Sequence, residues 1–181
     1  MSDVKEGGRA AAEPRRVVLA LGSNLGDRLL NLQGAVDALF DGAGLAFVAV
    51  SPVYETEPVG GPPQPEYLNA VLIAATALPA RAILERARGI EQAFHRGREV
   101  RWGPRTLDID IIACGDEVSD DPELTLPHPR AHERWFVLQP WLDADPSARL
   151  PGRGRVADLL SSLQATGMRR CSDAAIRPPE R

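Results

Sequence analysis

Apolar residues in this chain switch between two spacings, and the order of the switches leaves few folds open. Val17 to Leu21 is a short apolar run closed by Gly22-Ser23-Asn24, which supplies turn and helix-capping chemistry. Leu25, Leu29, Leu32, Val36 and Leu39 then recur at helical spacing until Gly42 and Gly44 provide a stop. Leu45 to Val50 and Tyr67 to Thr76 read as strands, Ile83, Leu84, Ala87, Ile90 and Phe94 as a second helix, and Leu107 to Ala113 as a fourth strand. Strand, helix, strand, strand, helix, strand makes two units that each cross over right-handedly and then interleave. The expected class is α+β: a ferredoxin-like βαββαβ plait, one antiparallel sheet with helices packed on it. Leu124 to Arg130 reads as an extended segment entering a helix around Ala131 to Leu142, a C-terminal helical extension.

A length of 181 residues with 44% hydrophobic and 25% charged side chains fits one domain with its own core. Residues 1–15 and 167–181 lack periodicity and read as a disordered tail and a flexible tail around a single domain, 16–166. The net charge of −4 gives no global attraction to nucleic acid, so a small anionic ligand fits better than a polymer. Cys114 and Cys171 are too few for a disulfide framework and read as free thiols of a reducing compartment. No apolar run approaches the roughly 20 residues needed to span a bilayer, and no secretory signal stands at the N-terminus. A cytoplasmic monomer without a membrane partner is expected.

The chemistry concentrates in Arg101-Trp102-Gly103-Pro104-Arg105-Thr106-Leu107-Asp108-Ile109-Asp110, where a basic, Gly- and Pro-broken loop runs into a strand. Alternation points Asp108 and Asp110 the same way from positions roughly 6.6 Å apart, with Leu107, Ile109 and Ile111 opposite. Two such carboxylates can hold one or two magnesium ions, which prefer oxygen ligands and recruit substrate phosphates. Arg96, Arg98, Arg101 and Arg105 beside them suit an anionic substrate bridged by metal. The stretch from Glu55 to Glu66, with Pro58, Pro62, Pro63 and Pro65, is long for a connection between strands and reads as a semi-rigid binding loop. Tyr67 and Asn69 share a strand face at its end, a ring and an amide able to recognise a heteroaromatic ligand. His128, between two prolines, has Arg130, His132 and Arg134 as company and can add positive charge or donors near the same anion. Gly22-Ser23-Asn24-Leu25-Gly26 lacks both the Walker ending and the dinucleotide spacing, so it reads as a capping turn.

Four segments, in this order, resemble the 6-hydroxymethyl-7,8-dihydropterin pyrophosphokinase family of folate biosynthesis: Leu21 to Asp27; Ser51 to Thr56 with Pro58 and Tyr67 to Ala70; Arg101 to Asp110; and Leu124 to Arg130 with Glu133, Arg134 and Phe136. The resemblance spans about Val17 to Leu142. It implies transfer of the β,γ-diphosphate of ATP to a pterin alcohol, with release of AMP. By the same resemblance Asp108 and Asp110 match ligands for two magnesium ions. Arg105 and His128, with Arg96 or Arg98, match phosphate contacts, and Arg101, Ile111, Leu124, Thr125 and Arg134 complete the ATP side. Tyr67 and Phe136 match rings that sandwich the pterin, Asn69 the amide that reads its edge, Thr56, Pro58 and Val59 largely backbone contacts, and Trp102 a closing lid. Glu57 departs from the pattern where a second proline can stand, as does Pro129 where some members carry an aromatic residue.

Two rivals start from the same fold. A noncatalytic RNA-binding module would display aromatics and basic charge on the sheet, but only 5% of residues are aromatic. A palm-type nucleotidyltransferase would carry a carboxylate on the first strand, and Val17 to Leu21 has none.

Overall fold

A computed structural model describes residues 13–95 and 105–180. In chain order these form β1 (Arg15–Ser23), α1 (Arg28–Asp41), β2 (Leu45–Val50), β3 (Tyr54–Thr56), β4 (Tyr67–Thr76), α2 (Ala80–Phe94) and β5 (Asp108–Cys114). There follow β6 (Ser119–Asp121), β7 (Leu124–Leu126), a 3₁₀ turn (Ala131–Glu133), α3 (Trp135–Ala144), β8 (Arg149–Leu150), β9 (Gly154–Arg155), α4 (Val156–Ser161) and β10 (Met168–Arg170). The result is a mixed α and β structure around an antiparallel sheet. Among the described residues no helix is long and apolar enough to cross a membrane.

The main sheet runs β10-β3-β4-β1-β5, with β2 also paired to β4. β1 lies against nearly all of β4, from Arg15 opposite Thr76 to Ser23 opposite Leu68. On the other edge of β4, β2 covers the far half and β3 the near half. Pro52 cannot donate to a ladder, and Ser51 bridges the interruption: its N–H donates to the Val71 carbonyl at 2.9 Å, and its Oγ accepts the Val71 N–H at 2.9 Å. One strand thus becomes two, and the loop expected over 55–66 begins only at Glu57.

Alternation along the strands feeds two apolar layers. Leu19, Leu21, Leu72, Ile109 and Ile111 pack with Leu32, Leu39, Ile83 and Ile90 of α1 and α2. Val18, Val71, Ile73 and Ile112 pack with Val137, Leu138 and Trp141 of α3. A register shift between Val18 and Leu19 lets Ile112 and Ala113 of β5 both face the α3 layer.

Three expectations change. The sheet is not single, since β6-β7 and β8-β9 form two further two-stranded sheets; strands of two or three residues are too short to show alternation. The helix cap lies later than Gly22-Ser23-Asn24: α1 starts at Arg28, and Asp27 accepts the Leu30 N–H at 3.0 Å. Residues 168–180 are tied down, with β10 on β3, Ile176 buried, and the Arg177 N–H donating to Gln33 Oε1 at 2.8 Å.

Removing the Asp27 cap by Asp27→Ala should cost about 1 kcal/mol in urea unfolding, whereas Leu72→Ala, at a fully buried position of the central strand, should cost about 2–5 kcal/mol.

Candidate active site

The site lies on the α3 side of the sheet, at the end where β5 begins. Gly22 of β1 stands opposite Asn69 of β4 on one side and Asp108 of β5 on the other. Ala20 stands likewise between Val71 and Asp110. Short side chains in the middle strand leave the floor low, so residues on β4 and β5 can approach one ligand. A Cβ on Gly22 would come 3.1 Å from Asn69 Oδ1 and 3.6 Å from Tyr67 Cδ1, so any larger residue there would push the amide back by a few tenths of an ångström.

Above this floor opens a cavity of about 480 Å³ whose walls include Thr56, Pro58 and Val59, then Tyr67, Arg105, Asp108 and Asp110, and opposite them Arg134 and Phe136. A second hollow of about 240 Å³ adjoins it, bordered by Ile111, Leu124, Thr125 and His128. Asp110 lines both. Ile111 borders the second hollow from the sheet while its side chain is buried with α1 and α2. Asn69 does not line either hollow directly but donates from Nδ2 to Thr56 Oγ1 at 2.6 Å, locking the amide beside the cavity wall. Arg96, Arg98, Arg101 and Trp102 lie outside the described residues.

The charges are arranged around Asp110. Arg134 Nη1 lies 3.6 Å from Asp110 Oδ2, and its guanidinium sits 5.7 Å from the Phe136 ring centre. Phe136 in turn meets Trp135 edge-to-face, with centroids 5.5 Å apart. Burial pulls the Arg134 pKa below its usual value, and Asp110 opposes that pull. Burial likewise lowers the His128 pKa, more than Asp110 raises it, which favours the neutral ring. Its Nδ1 accepts the Arg130 N–H at 3.2 Å, so the neutral ring carries its proton on Nε2. In its neutral form His128 has Nε2–H to donate, while Arg130 and Arg134 beside it supply positive charge.

Several further residues of this region are not among the expected site residues. Asn24, only 2% exposed, joins the two loops that flank the cavity. Its Oδ1 accepts the Arg105 N–H at 2.7 Å, its N–H donates to the Arg105 carbonyl at 3.0 Å, and its Nδ2 donates to Gln64 Oε1 at 2.9 Å and the Pro65 carbonyl at 3.0 Å. A capping turn in the sequence is thus a tie between loops. Trp135 and Gln64 line the cavity as well. Beneath the acidic strand, Glu91 of α2 accepts the Ile109 N–H at 2.7 Å, between the two aspartates. Its position four residues after Ala87 and three before Phe94 marks it as facing the packed side of α2, a signal legible in the sequence.

Burial, with Asp108 and Asp110 nearby, raises the Glu91 pKa to about 7, against the Ile109 N–H and Arg105, which favour the charged form. A carboxyl raised in the fold binds more protons there than in the unfolded chain. Its stabilisation is complete below about pH 4.5, the ordinary glutamate value, and is lost as pH rises through about 7. Glu91→Gln keeps an acceptor for Ile109 without the charge. Its urea midpoint relative to wild type should therefore rise between pH 5 and pH 8, and a pH-independent difference would contradict this.

The family model described as 7,8-dihydro-6-hydroxymethylpterin-pyrophosphokinase (HPPK) matches residues 18–146. The chain is 47% identical over 163 residues to a 2-amino-4-hydroxy-6-hydroxymethyldihydropteridine pyrophosphokinase of Mycobacterium tuberculosis, covering 82% of this chain and 84% of the relative. It is 39% identical to the protein of that name from Pseudomonas aeruginosa, covering 88% and 99%. In fold it is similar to wild-type Plasmodium falciparum HPPK-DHPS with SDX-DHP, at a TM-score of 0.65 and 15% identity, covering 84% of this chain and 45% of that longer one. The chain belongs to the 7,8-dihydro-6-hydroxymethylpterin-pyrophosphokinase family.

Proposed function

We propose that the larger cavity takes the pterin, the smaller hollow takes the nucleotide, and Asp110, which lines both, marks where the pyrophosphoryl group passes between them. The reaction is transfer of pyrophosphate from ATP to 6-hydroxymethyl-7,8-dihydropterin in folate biosynthesis. The hydroxymethyl oxygen attacks the β-phosphorus, the bond from that phosphorus to the α,β-bridging oxygen breaks, and AMP leaves. Groups that align two oxygens and offset charge suffice for such a transfer, with little covalent help from the protein.

The donor set of the floor fits magnesium. Asp108 and Asp110 supply hard oxygens on one face, and among the described residues no third acid, His or Cys joins them in a metal-binding group. Magnesium characteristically takes one or two carboxylates and leaves its remaining positions to water and phosphate. Two ions are expected; Asp108 and Asp110 would hold them, and the ions would supply neutralisation of the charge developing on the ATP phosphates. The protein's own groups do the rest: Arg105 and neutral His128 donate to phosphate oxygens, with Arg96 or Arg98 from the arginine loop. Arg134, released from Asp110, turns to the nucleotide together with Arg101, Ile111, Leu124 and Thr125. Tyr67 and Phe136 stack on the pterin, Asn69 reads its edge, Thr56, Pro58 and Val59 close one wall, and Trp102 covers the ring.

The order β5-β1-β4-β2, antiparallel throughout, supports reading the core as a ferredoxin-like plait. Residues 16–166, with β10 and the segment to residue 180 packed on them, are read as one catalytic domain acting as a monomer in the cytoplasm, without nucleic-acid or membrane partners.

Asp110→Ala should lower AMP release by at least about 100-fold at saturating magnesium while the thermal unfolding midpoint stays within a few degrees, because a half-exposed carboxylate is removed and nothing new is buried. Turnover within a few-fold of wild type would take Asp110 out of the reaction.

A further inference from the structure

Thr56 of β3, followed by Glu57, Pro58, Val59 and Gly60, makes one wall of the larger cavity. A strand of three residues is a weak support for a binding wall. β4 holds one edge of it, through Tyr54 to Thr56 opposite Asn69 to Tyr67. The other edge is held by a segment beyond residue 146, where the match to the family model ends: Met168, Arg169 and Arg170 of β10 face Thr56, Glu55 and Tyr54.

This second support is anchored at several points. The Glu57 N–H donates to the Gly167 carbonyl at 3.1 Å, and the Cys171 N–H donates to the Val53 carbonyl at 2.9 Å. Hydrogen-bonded pairs alternate in an antiparallel ladder, so Arg169 and Glu55, midway between those two, are the pair that exchange backbone bonds. Their side chains meet too. Glu55 receives the Arg169 guanidinium and, at 2.8 Å, Arg28 Nη2, while Arg28 Nη1 donates to the Glu66 carbonyl at the end of the 57–66 loop. Further on, Ile176 is buried in the α1 and α2 layer, and Gln33 exchanges hydrogen bonds of 2.8 and 3.2 Å with Arg177. Gly167 has φ +69°, and a Cβ there would stand 2.8 Å from the Glu57 carboxylate.

We propose that β10 is a positioning clasp for the pterin side of the active site, holding β3 and the first residues of the 57–66 loop in the conformation that binds the pterin. The inference rests on placing the pterin in the larger cavity. Leu124, Thr125 and His128 line the other hollow and take no part in the clasp. Loosening β10 therefore weakens one substrate and spares the other, whereas a merely structural strand would affect both or neither.

Two full-chain variants test this. Arg169→Pro removes a ladder donor and the guanidinium on Glu55, and Gly167→Ala presses gently on Glu57 and strains a positive φ. For each, the KM for the pterin at saturating ATP and magnesium is measured, together with the Kd of a nonhydrolysable ATP analogue and the thermal midpoint. The clasp predicts a pterin KM raised about tenfold in Arg169→Pro and several-fold in Gly167→Ala, with the analogue Kd within about twofold of wild type. An unchanged pterin KM in the variants that fold, or equal weakening of both ligands, overturns it; if Arg169→Pro does not fold, Gly167→Ala decides. Tyr67→Ala runs alongside. An unchanged pterin KM there overturns the placement of the pterin, while a raised value there with unchanged clasp variants overturns the clasp alone.

Discussion

The register that puts Gly22 of β1 opposite both Asn69 of β4 and Asp108 of β5 sets how closely the two sides of the site can approach. Adjacent strands lie about 4.8 Å apart, so residues on β4 and β5 across one middle strand can reach the same ligand only if the residue between them is small. A one-residue slip of β5 would send Asp108 and Asp110 into the apolar layer under α1 and α2, where Ile109 and Ile111 now pack. The buried isoleucines therefore fix the exposed aspartates. Packing on one face of the strand and chemistry on the other are a single constraint.

The polar ties act on top of this register. Asn24 satisfies backbone groups of Arg105 and Pro65 at once, so the ends of the two loops flanking the cavity are held to one buried side chain. Glu91 takes the Ile109 N–H at an edge of the sheet, on the side of β5 where no strand pairs with it among the described residues. Buried polar groups left without partners are costly, and among the described residues no buried side-chain nitrogen or oxygen is left so. The structure directs this requirement to the margins of the site, where it holds loops and an edge strand in place.

Much of this was legible in the sequence, because the longer elements carry periodicity. The first strand, α1, β2, β4, α2 and β5 show apolar spacings of two or 3.6, and the Asp-x-Asp pattern on a strand already implies two carboxylates on one side. What escaped has physical causes. Strands β3, β6, β7, β8, β9 and β10 are two or three residues long, below the length at which alternation can be recognised. The pairing of β10 with β3 depends on contacts about 114 residues apart, which no local pattern encodes. His128 does border the hollow that Asp110 also lines, but the downward pull of burial on its pKa is something sequence spacing does not show. Asn24 resembled a helix cap since asparagine serves both roles, and only the fold determines which backbone groups reach it.

The proposed reaction requires that Asp108 and Asp110 hold divalent cations at the ATP phosphates beside the bound pterin. Crystals grown with manganese, a nonhydrolysable ATP analogue and the hydroxymethyl pterin test it most directly, because manganese gives an anomalous signal at its own position. Peaks in contact with both aspartates and with phosphate oxygens, and a pterin ring between Tyr67 and Phe136, are the predicted result. A triphosphate bound with no peak at those carboxylates, or with the carboxylates turned away from it, would contradict the account.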